Sequence, residues 1–137
     1  MSDFIYVSLS EANVSQDVLQ KFNCGHPDFN DFLVNDATKC NDNGNGVTYI
    51  LVDEAEVDKE HHKNNNISTI FAFATIRTTS LQYYNSEDIN KIYSISGVEI
   101  RYFAIAKMFH KQIAYLIDPN KYYSTIFFER FLIDLYE

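Results

Sequence analysis

The chain has 137 residues, enough for one domain with a single core, and its 46% hydrophobic against 22% charged residues mark it as globular rather than disordered. A formal net charge of −8 argues against nucleic-acid binding through a broad basic face, because neutralising phosphates takes clustered Lys and Arg. No apolar run is long enough to span a bilayer, the opening "MSDFIYVSLS" lacks a signal-peptide pattern, and Cys24 and Cys40 suit neither a disulfide framework nor a metal pair, so a reduced, cytoplasmic protein is expected.

In chain order, Phe4 to Leu9 is β-rich and weakly alternating, and reads as a first strand. Ser10 can cap a helix from Glu11 to about Lys21, with Val14, Val18 and Leu19 on one face. "NCGH" breaks it. Pro27 then opens a second helix whose apolar residues Phe29, Phe32, Leu33 and Ala37 recur at helical spacing, and "NDNGNG" ends it. Val47 to Asp53 is a strand. The charged "EAEVDKEHHKNNN" that follows reads as an exposed hairpin loop. Ile67 to Leu81 is a long strand that exceeds usual lengths, and so is expected to be bulged or bent. "QYYNSEDINKIYSIS" reads as an irregular excursion, and Val98 to Ile105 as another strand. A long loop follows. The last segment, "STIFFERFLIDLYE", has Ser124 as N-cap and Ile126, Phe127, Phe131, Leu132 and Leu135 on one face of an amphipathic helix. The order is β-α-α-β-β-β-α, an α/β class of α+β type in one domain spanning residues 1–137. Eleven Phe predict a core or pocket built from rings.

The chemistry-bearing stretch is "GVEIRYFAIAKMFHKQ". Strict alternation puts Glu99, Arg101 and Phe103 on one face of the strand, and Val98, Ile100, Tyr102 and Ala104 on the other. A Glu and an Arg two apart on one face can form a half-exposed ion pair, and a strand Tyr such as Tyr102 is commonly core. Arg101, Lys107, His110 and Lys111 make the one local basic patch of the sequence, equally compatible with a solvated loop. His61 and His62 are adjacent and lack further ligands nearby, so no metal site is expected. Cys24, before a glycine at a helix break, reads as a buried structural thiol. Asp28 and Asp31 sit in a first helical turn, where the dipole alone favours acids.

Two segments resemble the GNAT acetyltransferase superfamily, in its bacterial toxin-like branch. "FNCGHPDFNDFLVNDATKC" followed by "VTYILVDE" is similar to the amino-terminal signature of that branch, and "GVEIRYFAI" is similar to its fourth strand. The resemblance implies a mixed, mostly antiparallel sheet flanked by helices. It implies acetyl-CoA as co-substrate, with pantetheine amides pairing along the backbone of Phe103, Ala104 and Ile105, much as a sheet edge accepts a strand. It places the phosphates near Lys107, His110 and Lys111 and at the helix start of Ser124, Thr125 and Ile126, where amides and dipole favour an anion. It makes Glu99 the candidate base for the acceptor amine, since an ammonium has no lone pair to attack with, and gives Tyr102 an orienting role. The implied acceptor is a primary amine, on a small molecule, a protein or an aminoacyl-tRNA. The family's phosphate loop, Gln/Arg-x-x-Gly-x-Gly/Ala, is matched here by "HKQIAYL", which has no glycine, and the resemblance implies further strands after the last helix that this chain lacks. The alternative expectation is therefore an eroded module that binds a protein partner, or a fragment that dimerises through an exposed sheet edge.

Overall fold

A computed structural model describes residues 4–44, 46–57, 66–85, 88–114 and 117–136. Its strands β1 (Phe4–Ser8), β2 (Val47–Asp53), β3 (Ala72–Asn85) and β4 (Asp88–Ile105) form one antiparallel sheet in the order β1-β2-β3-β4. Helices cover both faces, which explains the unbroken apolar run of β2: Ile50, Leu51 and Val52 are each 0% exposed. Ile50, Val52 and Phe73 face the helices between β1 and β2, whereas Leu51 and Ala72 face the last helix through Phe127. Where the two layers meet the sheet, Thr48 and Thr75 satisfy each other's hydroxyls at 2.8 Å in full burial.

The first helical segment differs from its expected form. Instead of one helix capped by Ser10, the chain makes α1 (Leu9–Ala12), with Ser10 inside it, then α2 (Gln16–Lys21). Asn13 adopts φ 54°, a left-handed conformation that asparagine tolerates and that ends a helix. Ser15 then restarts it, its Oγ accepting from the Val18 amide at 3.4 Å. Pro27 does open the next run, α3 (Pro27–Asp31), a π-helical turn (Phe32–Asp36) and α4 (Ala37–Asp42). In the wide turn the Ala37 amide reaches back to the Phe32 carbonyl, and Phe32, Leu33 and Ala37 all turn into the core.

The β3–β4 hairpin departs most from expectation. Residues 67–71 are a lead-in rather than strand, with Ile67 and Ile70 buried. Of the stretch read as an irregular excursion, residues 82–85 and 88–96 belong instead to the far part of the hairpin, which is paired from Arg77↔Glu99 to Tyr84↔Ile92. β2 pairs with β3 only as far as Ile76, so the hairpin continues past the sheet as a two-stranded ribbon. The expected bulge lies in its partner: Thr75 is opposite Tyr102 and Ile76 opposite Ile100, which leaves Arg101 as the extra residue. That one insertion corrects the alternation expected from sequence. Glu99 lies on the same face as Tyr102 and Ala104, and Phe103 is on the other. His61 and His62 lie outside the described residues.

The last helix, α5 (Tyr123–Tyr136), packs across the sheet through Phe127 and Phe131, 1% and 2% exposed. It starts one residue before Ser124, which therefore sits within the first turn instead of capping it. Tyr6 on β1 ties the helix down by donating its hydroxyl to the Phe127 carbonyl at 2.8 Å. Burial, and then the Asp134 carboxylate, push the Tyr6 pKa well up. In the unfolded chain this hydroxyl ionises near pH 10 while in the fold it stays protonated. The unfolded state then binds fewer protons, so stability falls as pH rises above about 10. Tyr6→Phe should cost about 1 kcal/mol at pH 7 and make that alkaline fall shallower, as urea titrations at pH 7 and above pH 10 will show.

Candidate functional site

β4 pairs with β3 and has no strand on its outer side among the described residues, so the backbone of its end faces outward. A cleft of about 670 Å³ straddles this edge. Phe103, Ala104 and Ile105 form its floor. Cys24, His26 and Phe29 wall one side, from the α2–α3 connection and α3, and Ser124, Thr125, Phe128 and Glu129 of α5 wall the other. His110 closes one end.

The loop from β4 to α5 is long but held. Phe109 is its anchor, edge-on to Phe71 at 5.5 Å and Phe127 at 5.2 Å, and 4.8 Å from Tyr123. The Ala106 amide donates to the Phe71 carbonyl and the Lys107 amide to the Asn23 carbonyl, both at 2.7 Å, which joins the loop to the sheet and to the α2–α3 connection. His110 follows directly. Its Nε2 lies 2.9 Å from the Ile105 carbonyl oxygen, and its ring stands over Gly25, where an added Cβ would lie 3.8 Å from Cε1. Gly25 holds φ +84°, a conformation that other side chains rarely adopt.

At the start of α5 the Tyr123 amide donates to Gln112 and the Ile126 amide to Tyr122. The amides of Ser124 and Thr125 have no acceptor among the described residues, and the first turn carries no acid. This end of the cleft is therefore a donor-rich, electropositive surface. Glu129, one turn further on, is engaged by Lys121 at 3.1 Å.

Of the residues singled out from sequence for cofactor contact, Phe103, Ala104, Ile105, His110, Ser124 and Thr125 come together in this one cleft. Ile126 packs into the core beneath α5. Lys107 lines a neighbouring hollow beside Phe22 and Asn23, and Lys111 is exposed with φ 57°. Glu99 is on the strand above the bulge, outside the cleft lining, and pairs across the hairpin with Arg77 at 2.7 Å rather than with Arg101. Tyr102 stacks on Phe32 at 4.3 Å and meets Phe29 edge-on at 5.4 Å, one ring removed from the cleft. Sequence reasoning did not assign Cys24, read as a structural thiol, or His26, Phe29, Phe128 and Glu129 to the cleft. The last two stand one helical turn after Ser124 and Thr125, so helical spacing alone carried that signal. Among the described residues no group of His, Cys, Asp and Glu could hold a metal ion, and no helix is long and apolar enough to cross a membrane.

No protein-family model matches the chain, and no curated protein does. Solved structures do. The toxin–antitoxin pair AtaTR bound with acetyl-CoA is similar at TM-score 0.59 and 21% identity, over 82% of this chain and 61% of that one. AtaT complexed with acetyl-methionyl-tRNAfMet is similar at TM-score 0.54 and 21% identity, over 80% and 61%. A tyrosine-to-phenylalanine mutant of AtaT, bound to acetyl-CoA and the C-terminus of the antitoxin AtaR, is similar at TM-score 0.53 and 18% identity, over 80% and 57%. This chain thus spans about three fifths of the length of these neighbours. The likeness is one of fold: the described residues share a GNAT-like fold with these structures.

The Arg77–Glu99 pair is exposed, with side chains 43% and 40% accessible. Such pairs contribute little, so Glu99→Gln should change stability by less than about 1 kcal/mol in a denaturant titration. A larger loss would mean that the ribbon depends on this pair.

Proposed function

We propose that this chain, as a single domain, is an acetyl-CoA-dependent N-acetyltransferase that acts on a primary amine in the cytoplasm. One observation carries the reading: the edge of β4, which has no partner strand among the described residues, and the Ser124 and Thr125 amides, which have no acceptor among them, belong to the lining of one cleft. A pantetheine arm is a run of amides and suits a strand edge, and a diphosphate suits a helix start. Bound there, acetyl-CoA would supply an acetyl thioester for attack by the amine. The backbone of Phe103, Ala104 and Ile105 would hold the arm, and Ser124, Thr125 and His110 the phosphates, with Lys107 and Lys111 adding positive charge nearby. Ile126 would act from below, by seating the helix.

Glu99 is the base in this proposal, taking the ammonium proton directly or through water, and Tyr102 orients the acceptor from the same face of β4. The fold likeness to AtaT, solved with acetyl-methionyl-tRNAfMet, supports an aminoacyl-tRNA as acceptor. The net charge of −8 favours a small footprint at the aminoacyl end over a broad grip on the tRNA. A protein partner is also proposed, since AtaT is solved with a segment of its antitoxin. A second reading, a non-catalytic module that binds a protein or a second copy along the β4 edge, is favoured by Glu99 lying outside the cleft lining.

Thermal unfolding with acetyl-CoA separates the two. At about a hundred times the dissociation constant, ligand should add roughly 2.7 kcal/mol of stability. Thr125→Glu should fold well, because an acid is favoured in a first helical turn, yet lose the ligand shift through repulsion of the phosphates. No shift in the wild type at millimolar acetyl-CoA would sink the enzyme reading. If Glu99 is the base, Glu99→Gln should lower kcat by about 10²–10⁴ while the acetyl-CoA shift stays the same.

A further inference from the structure

We propose that His110 grips the cofactor's diphosphate as an imidazolium, so that binding of acyl-CoA in this cleft takes up a proton. The inference rests on the acyl-CoA reading above and concerns how the same site is regulated.

The argument starts from the Ile105 carbonyl, which can only accept a hydrogen bond. The 2.9 Å contact to it requires Nε2 to carry a hydrogen whether the ring is neutral or charged. Nδ1 is then the one ring nitrogen left for a ligand in the cleft that His110 lines. On a neutral ring Nδ1 bears a lone pair, which cannot donate to a phosphate oxygen. On the imidazolium it is a charged donor, the kind that binds phosphate strongly. The ring is also held in place by that bond to the strand.

The setting makes this charge matter. The connection leading to this end of the cleft has no glycine, and the donors there among the described residues include the amides and hydroxyls of Ser124 and Thr125. Among the described residues, the titratable and charged groups that share the cleft with His110 are Cys24, His26 and Glu129, and Lys107 and Lys111 stand on its own loop. Glu129 is held by Lys121. Histidine is the side chain that ordinarily changes charge between about pH 5 and 8.

The test is calorimetric titration of acetyl-dephospho-CoA into the wild-type chain from pH 5.5 to 8.5, in pairs of buffers with different ionisation heats. That probe lacks the 3′-phosphate, whose own titration would otherwise overlap. Binding should be roughly tenfold weaker at pH 8 than at pH 5.5, a coupling of ordinary size, with net proton uptake near neutrality. His110→Gln keeps an amide N–H for the Ile105 carbonyl. It should bind at the wild type's high-pH affinity throughout, with no proton uptake. A flat wild-type profile, or an unchanged slope in His110→Gln, would overturn the proton linkage and leave the acyl-CoA reading standing. If His26→Gln is the variant that flattens the profile, the proton belongs to His26 and the proposal falls. No binding at any pH would overturn both readings together.

Discussion

The seating of Phe127 is the contact on which the rest of the site depends. Its ring is 1% exposed, and Phe4, Phe109 and Tyr123 surround it at centroid distances of 5.1, 5.2 and 5.6 Å. Its carbonyl accepts from Tyr6 across 121 residues of sequence. Full burial of a Phe side chain is worth about 1.5–3 kcal/mol, and here the same residue sets where α5 begins relative to β4. Phe127 also shares a core cluster with Ile105 at the end of β4, so one buried ring joins the two elements that line the cleft. Phe109 shares the cluster, and through it the loop that carries His110 is placed by the core and not by the solvent.

A second constraint is the extra residue at Arg101. A strand that paired regularly to its end would put Glu99 and Tyr102 on opposite faces. The bulge puts them on one face and twists the end of β4, where the outward backbone is open. The π-helical turn does the corresponding work on the helical side. By widening one turn it carries Phe32 and Leu33 into the core and stacks Phe32 on Tyr102. Two local irregularities, one in a strand and one in a helix, thus meet at the same ring contact beside the cleft.

How much of this is legible in the sequence follows from where burial leaves a periodic trace. β2 reads at its true bounds because both faces are covered and Val47 to Val52 are β-formers. α5 reads nearly as well, since Phe127 and Phe131 recur at helical spacing. The cleft residues Phe103 to Ile105, His110, Ser124 and Thr125 were legible through resemblance to a known fold. The α1–α2 break was not, because it turns on the backbone of Asn13, which a helical pattern tolerates. The hairpin ribbon was not, because its pairing past Ile76 leaves the helix-covered sheet and its sequence mixes polar and apolar residues without a single period. Nor was the position of the bulge, since one inserted residue leaves composition unchanged while reversing the face of everything before it.

The cleft also shows why the fold can persist at about 21% identity to its structural neighbours. Its lining includes the end of a strand and the first turns of a helix, and the backbone geometry of neither depends strongly on side-chain identity. What side chains must do is hold those two pieces apart at the right distance, and an aromatic cluster such as Phe4, Phe71, Phe109, Tyr123 and Phe127 can do so in many combinations. Selection on the backbone geometry therefore leaves the side chains at the His110 end of the cleft free to change. A glycine loop offers amides through close approach. Here the connection has no glycine from Ala106 to Tyr122, and a histidine braced on the strand stands at the same end. A run of amides and a histidine differ in one physical respect: amides carry no proton that comes and goes near neutral pH, whereas an imidazole ordinarily does.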